Sequence, residues 1–175
     1  VTTADGKQLD GQIIPAIWAH RAKFPSWRFV EREITNGTGG FAKFWTTDEP
    51  GRAEGWHGSE DAPLLIIVDE AKSVPEKIYE ALDRCTFQSV GYISSPGLME
   101  GRFFDAFSKH RDRYFSIQAG LADCPHISPQ KIADIISQYG SETHPFVRSC
   151  LHGRFMDTSS DNYIFTVGDV QLLLE

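Results

Sequence analysis

The strongest pattern in the chain is an unbroken apolar run, Leu64-Leu65-Ile66-Ile67-Val68, that stops at Asp69-Glu70-Ala71. A run without alternation suits a strand covered on both faces in a parallel sheet, so it is expected to be the central strand. Ser73-Val74-Pro75-Glu76 then reads as a capping box with proline in the first turn. Val74, Ile78, Leu82 and Cys85 continue at helical spacing, which predicts a helix over 74–84. Residues 87–95 read as a second strand, broken by the turn Ser95-Pro96-Gly97. Phe103, Phe104 and Phe107 share one face of a short helix, and residues 114–119 return as a third strand. Such alternation predicts an α/β fold with parallel strands and crossover helices.

The flanks add further elements. Leu9, Ile13, Ile14 and Ile17 predict a helix over 9–18, with Pro15 either in its first turn or bending it. Residues 27–34 and 41–46 are rich in aromatic and β-branched side chains. Asn36-Gly37 and Gly39-Gly40 lie between them, so the two segments are expected to pair as strands. Ser128-Pro129 opens a helix whose Ile132, Ile135, Ile136 and Tyr139 share a face, and Gly140 stops it. Phe146, Val147, Cys150 and Leu151 suggest one more helix, and 158–162 reads as a loop leading into a tail. With no repeat and no Pro/Gly-rich linker, one domain is expected.

Composition narrows the class. At 175 residues, 41% hydrophobic and 23% charged, the chain can bury a core. No apolar run approaches the ~18 residues of a membrane helix, and the N-terminus lacks a signal-peptide pattern. The three cysteines make neither a disulfide framework nor a CxxC pair, which points to a reducing, cytoplasmic setting. Cys85 and Cys150 fall on apolar helix faces and are expected to be buried and inert. The net charge of −7 excludes a chain that coats nucleic acid over its whole surface and leaves a local DNA contact open. None of the six histidines stands in zinc-ligand spacing. The opening, Val1-Thr2-Thr3-Ala4, reads like the middle of a fold, so the chain is expected to be a fragment.

Chemistry concentrates at two strand ends. Asp69 and Glu70 are delivered to the carboxyl edge of the sheet, where open α/β sheets bind ligands. Alternating strand geometry would aim the two carboxylates differently, which suits two tasks. In P-loop nucleoside triphosphatases the first such acid holds Mg²⁺ and the second orients the attacking water. The competing reading is a strand end whose acids merely favour the positive end of the next helix. One helix and one strand separate Glu70 from Ile93-Ser94-Ser95-Pro96-Gly97. A parallel crossover of that length would bring the hydroxyls of Ser94 and Ser95 beside Asp69 and Glu70. There they would touch a γ-phosphate, unless the segment is simply a turn.

An ordered set of segments resembles the ATPase domain of bacteriophage terminase large subunits. The set is Gly55-Trp56-His57-Gly58, Leu64 to Ala71, Ile93 to Gly97, Phe104-Asp105-Ala106-Phe107, Ala122-Asp123-Cys124-Pro125 and Gly153-Arg154-Phe155. The resemblance spans 1–157 and implies a three-layer, P-loop NTPase-like parallel sheet, truncated on its N-terminal side. It implies that Leu64 to Glu70 is a Walker B segment, with Asp69 on the metal and Glu70 as catalytic base. Ser94 and Ser95 would sense the γ-phosphate and couple hydrolysis to DNA movement. ATP and Mg²⁺ would be the cofactors of the intact protein, in a phage or prophage motor that packages double-stranded DNA. Portal protein, the small terminase subunit and further copies of the chain would be its partners, in the host bacterial cytoplasm, with no membrane involved.

Two departures qualify that resemblance. A phosphate-cradling loop reads GxxxxGK(S/T), whereas Gly6-Lys7 has Val1 where glycine belongs and Gln8 where Ser or Thr belongs, so no Walker A is present. Residues 158–175 are too short for the family's RNase H-like nuclease and would form a linker toward it. The fragment alone is therefore expected to be inactive. The rival reading is a non-catalytic remnant or interaction module that keeps the sheet without nucleotide turnover. Arg102, Arg111 and Arg113 are candidates for contacts with DNA or a neighbouring subunit's nucleotide, although Lys109 to Arg113 also suits a solvated helix end. His57 is expected to be structural, the Phe103, Phe104, Phe107 cluster to be core, and Asp123 and Asp157 receive no chemical role.

Overall fold

The computed structural model describes residues 1–46, 51 and 53–157; the expected tail, 158–175, lies outside them. The chain divides into two compact units, Val1–Ser94 and Ser95–Glu175. In the first, a four-stranded, all-parallel sheet runs in the order β5-β1-β6-β7. Its strands are β1 (Thr2–Thr3), β5 (Trp45–Thr46), β6 (Leu65–Asp69) and β7 (Ser89–Ile93). The apolar run is thus an interior strand, as expected. Its cover is one-sided, however: Ile66 and Val68 are buried, whereas Leu65 is 56% exposed.

The link from β6 to β7 passes through α3 (Glu76–Leu82), whose Ile78, Tyr79, Ala81 and Leu82 are buried. Tyr79 packs edge-on against Tyr92 of β7 and donates its hydroxyl to the Ala71 carbonyl at 2.6 Å. The expected capping box does not form. The Ser73 and Val74 N–H groups return to the Glu70 and Ala71 carbonyls in a 3-10 turn, Ala71–Ser73, and Pro75 caps the helix with no side-chain bond. That turn holds Ser73 on the Asp69 side of extended Val74 and Pro75, so the helix starts later than the sequence pattern predicts.

The N-terminal helix begins earlier than expected and changes pitch. It runs as α1 (Gly6–Gln8), a π-helical stretch Leu9–Ile13 and α2 (Ile14–Trp18). Ile14 N–H reaches back to the Leu9 carbonyl just before Pro15, which has no N–H of its own to return. Leu9 packs with Ile34 and Phe44 in a buried cluster. The strand expected over 27–34 is instead a hairpin of β2 (Arg28–Val30) and β3 (Glu33–Thr35), with Val30 opposite Glu33. Glu31 makes the turn at φ 46, a left-handed conformation usually announced by glycine. β3 pairs antiparallel with β4 (Phe41–Lys43), as the flanking sequence predicts. The 41–46 segment then serves two sheets: Phe44 breaks it by donating its N–H to the Arg32 carbonyl, and β5 joins the parallel sheet.

The second unit holds α4 (Gly101–Phe107), α5 (Pro129–Tyr139) and α6 (Pro145–His152). Ser128 caps α5 by accepting from Lys131 N–H, and Gly140 ends it at φ 79. Ile132, Ile135, Ile136 and Tyr139 are its less exposed face, as periodicity predicts. In α6 the buried residues are Val147, Ser149 and Leu151; Cys150, expected to be buried, is exposed. Ser149 donates to the Pro96 carbonyl at 3.0 Å, and Phe146 turns to the Tyr139 ring instead of the core. The strand expected over 114–119 is absent. Phe115 is 92% and Ile117 73% exposed, and the segment is tied by Gln118 donating to the His152 carbonyl. Alternating apolar residues make a strand only when a neighbouring ladder accepts them, and this segment pairs with none of the described strands.

Candidate functional site

Parallel pairing places every carboxyl end of the first unit's sheet at one edge, and register decides which side chains meet there. Asp69 closes β6 opposite Thr3 of β1 on one side and Ile93 of β7 on the other. Glu70 and Ser94 are the next residues along their strands, so both continue past that edge side by side. The structure thus brings Asp69, Glu70 and Ser94 together. Ser95 opens the second unit, where it is exposed.

Asp69 is held through Gln8. Gln8 Nε2 donates to its Oδ2 at 3.1 Å, and Thr3 Oγ1 donates to Gln8 Oε1 at 3.2 Å, so a buried hydroxyl fixes the amide that fixes the carboxylate. Partial burial nevertheless pushes the Asp69 carboxyl above its ordinary value; the Glu70 N–H opposes this and the Glu70 charge adds to it. The one side-chain bond from Gln8 leaves much of the carboxylate's acceptor capacity open.

Glu70 stands outside the strand. Its backbone is left-handed, φ 51 and ψ 45, and turns the chain into the Ala71–Ser73 turn. The divergence of the two acids comes from this turn rather than from strand alternation. A non-glycine residue in that region costs of order 1 kcal/mol or more and persists where surrounding structure imposes it. Lys72 Nζ lies 3.2 Å from Glu70 Oε1, and Lys72 N–H donates to Ser94 Oγ across a long 3.4 Å. Lys72 therefore bridges the two strand ends. The helix-dipole reading of the acids loses ground, because α3 starts at Glu76, a full turn beyond Glu70, and helix-end fields fade within one turn.

Thr3, Gln8 and Lys72 escape a reading by motif. Only the pairing of β1 with β6 carries an amide from the N-terminus to Asp69. The sequence shows Gln8 as the residue that spoils a Gly-Lys-Ser pattern, and it resembles, with Val1 to Ala4, the family's strand and helix start after the Walker A helix; its bond to Asp69 is not visible there.

The remaining sequence candidates fall elsewhere. His57 forms an isolated bridge with Thr86 and its Nδ1 lies 3.1 Å from Thr86 Oγ1, a structural use. A side chain at Gly58 would strike Gln88 and the Leu64 backbone, which explains that glycine. Arg102 lies on α4; Arg111 and Arg113 flank an exposed 3-10 turn, Arg111–Arg113. Asp123 caps a 3-10 turn by accepting from Gly120 N–H at 2.9 Å. Phe155 of the Gly153-Arg154-Phe155 segment joins the phenylalanine cluster, 5.5, 5.1 and 5.4 Å from the rings of Phe103, Phe104 and Phe107.

Among the described residues no group of three or more His, Cys, Asp and Glu side chains is arranged to hold a metal. That excludes an all-protein cage there, but it suits Mg²⁺ shared with phosphates, which asks a protein for one or two carboxylates. Asp69, partly desolvated and with open acceptor sites, fits such a role. Among the same residues no helix is long and apolar enough to cross a membrane.

No protein-family model matches the chain, and no curated protein matches it. Solved structures do. The large terminase of a thermophilic bacteriophage, in a structure in complex with ADP, superposes with a TM-score of 0.65 at 15% identity, covering 89% of this chain and 39% of that one. A second crystal form of that terminase gives a TM-score of 0.65 at 14% identity, covering 89% of this chain and 40% of the other. The chain spans about two fifths of the length of the terminase it matches. It therefore has a mixed α/β fold, with a parallel sheet, like that of phage large terminases.

Proposed function

We propose that this chain is part of the ATP-hydrolysing motor domain of a terminase-like DNA-packaging protein, over 1–157, with 158–175 as a linker. The observation that carries the proposal is the placement of Asp69, Glu70 and Ser94 at the carboxyl ends of two adjacent parallel strands. The terminase structure that shares the fold was solved with ADP, which supports a nucleotide as ligand. Asp69 would hold Mg²⁺, with Gln8 and Thr3 keeping its carboxylate in place. Bound there, the ion would neutralise charge on the phosphates. Glu70 would take the proton of the attacking water, and Ser94, followed by Ser95, would respond to loss of the γ-phosphate. Lys72, 3.2 Å from Glu70 Oε1, would keep that carboxylate aimed while no substrate is present. Double-stranded DNA, portal protein, a small subunit and further copies of the chain are the partners of this reading, in a bacterial cytoplasm.

One observation favours the rival, a non-catalytic module with the same sheet: the Lys72–Glu70 ion pair already occupies the proposed base. Turnover needs a phosphate-cradling loop as well, so the test uses a protein in which this segment is joined to one. There Asp69→Ala should cut ATP turnover by about a hundredfold or more and weaken its Mg²⁺ dependence. Unchanged turnover and an unchanged Mg²⁺ requirement would favour the module.

A further inference from the structure

The second unit contains a cavity of about 220 Å³ lined by Arg111, Arg148 and Arg154 and floored by Phe104, Phe107 and Phe155. Among the described residues no Asp or Glu lines it, although the chain carries a net charge of −7. Neither Arg111 nor Arg148 has a carboxylate partner within 4.0 Å among the described residues. Guanidinium groups gathered around one concavity repel each other, and that repulsion is relieved by an anion with several acceptor oxygens.

The fold ties the backbones of Arg148 and Arg154 together. Arg148 sits on α6, where it is half-buried, and its carbonyl accepts from Arg154 N–H at 3.2 Å. Gly153 between them adopts φ 62, and a Cβ there would collide with the Ala119 carbonyl oxygen. The backbone that places Arg154 thus needs glycine at 153. Behind the cations the Phe104 and Phe107 rings stand 5.1 and 5.4 Å from Phe155, giving the cavity one apolar wall.

The geometry points to a phosphomonoester-binding site. A carboxylate carries one charge and two oxygens, and a DNA backbone diester likewise carries one charge and two free oxygens. A monoester carries nearly two charges and three free oxygens, which matches the two planar donors Arg111 and Arg148 better. The volume lies below the about 300–1,000 Å³ of ordinary small-molecule pockets, so it admits the phosphate and the group next to it rather than a whole nucleotide. That adjoining group, a sugar carbon, would rest on the phenylalanine wall. Two sources supply this chemistry: a free 5′-nucleotide and the 5′-phosphorylated end of a DNA strand. The inference goes beyond the hydrolysis reading, uses none of Asp69, Glu70 or Ser94, and stands or falls separately.

The test titrates the whole chain with dAMP, and with one short single-stranded oligonucleotide carrying either a 5′-phosphate or a 5′-hydroxyl, at fixed salt. Saturable binding of dAMP or of the phosphorylated strand is expected, with about tenfold weaker binding of the 5′-hydroxyl strand. Arg111→Ala and Arg148→Ala should each weaken binding by about tenfold or more, while Lys109→Ala, outside the lining, should leave it unchanged. Arg148→Lys, which keeps the charge and spares the fold, should also weaken it, since the two-pronged contact is lost. Binding of dAMP alone assigns the free nucleotide, and binding of the strand alone assigns the DNA end. Equal saturable binding of the two strands, affinity unmoved by the arginine changes, or no saturable binding of either phosphorylated probe would overturn the site.

Discussion

Gln8 and Asp69, 61 residues apart, are joined by a hydrogen bond of 3.1 Å that ties the N-terminal helix to the carboxyl end of β6. The amide is itself held by buried Thr3. Gln8→Leu removes the donor and leaves a partly desolvated carboxylate less well paired. Urea unfolding should show a loss of about 1–2 kcal/mol, whereas Gln8→Asn, too short to reach, should lose a similar amount without adding apolar surface. An unchanged midpoint in both variants would show that the bond does not hold the edge together.

Asp69 also sets a pH dependence whose sign follows from its environment. Burial, chiefly, raises its folded-state pKa above the ordinary 3.8. The native state therefore binds more protons than the unfolded chain between 3.8 and the raised value, and this group's contribution to stability falls as pH rises through that window. In metal-free buffer, Asp69→Asn should remove that fall and melt at a higher temperature than the parent above the window. Identical pH profiles for the two proteins would contradict the burial argument.

Thr2 is fully buried between Trp45 and Val68 of the neighbouring strands, and its hydroxyl has no hydrogen-bond partner among the described residues. A buried hydroxyl left unpaired costs about 1–3 kcal/mol, and valine has nearly the same shape. Thr2→Val should therefore raise the urea midpoint by an amount worth about 1 kcal/mol. Destabilisation would mean that the hydroxyl contributes to the native state.

Cys85 and Cys150 should differ in reactivity in the native chain. Cys85 is buried and directs its Sγ to the Ala53 carbonyl at 3.0 Å, whereas Cys150 is exposed on α6. A thiol reagent followed by peptide mass analysis should label Cys150 at once and Cys85 only on unfolding. Fast labelling of Cys85 would contradict the packing of α3 described above.

Much of this fold is legible in the sequence. β6, β7, α5 and α6 are marked by apolar runs or periodicity bounded by Pro, Ser and Gly, and local signals suffice for them. The hairpin at Glu31 was hidden because a non-glycine residue takes the left-handed turn, and the split at Phe44 because one aromatic stretch feeds two sheets. Residues 114–119 alternate correctly for a strand, but pairing is a property of the neighbour. Cys150 and Phe146 share a helix face that the periodicity marks as apolar, while packing chooses Val147 and Leu151. At the site, the acids and Ser94 could be read from strand ends. Thr3, Gln8 and Lys72 could not, since their meeting depends on strand order and on the turn after Glu70.

The most direct measurement concerns Glu70. In a protein that joins this segment to a phosphate-cradling loop, Glu70→Gln keeps the shape of the side chain and removes its ability to take a proton. Single-turnover hydrolysis and equilibrium ATP binding, measured on the same preparation, separate chemistry from binding. Hydrolysis should fall by about a hundredfold or more while affinity for ATP stays within a few fold. Hydrolysis at the parent rate would contradict the assignment of Glu70 as base and, with it, the reading of this sheet edge as a hydrolytic centre.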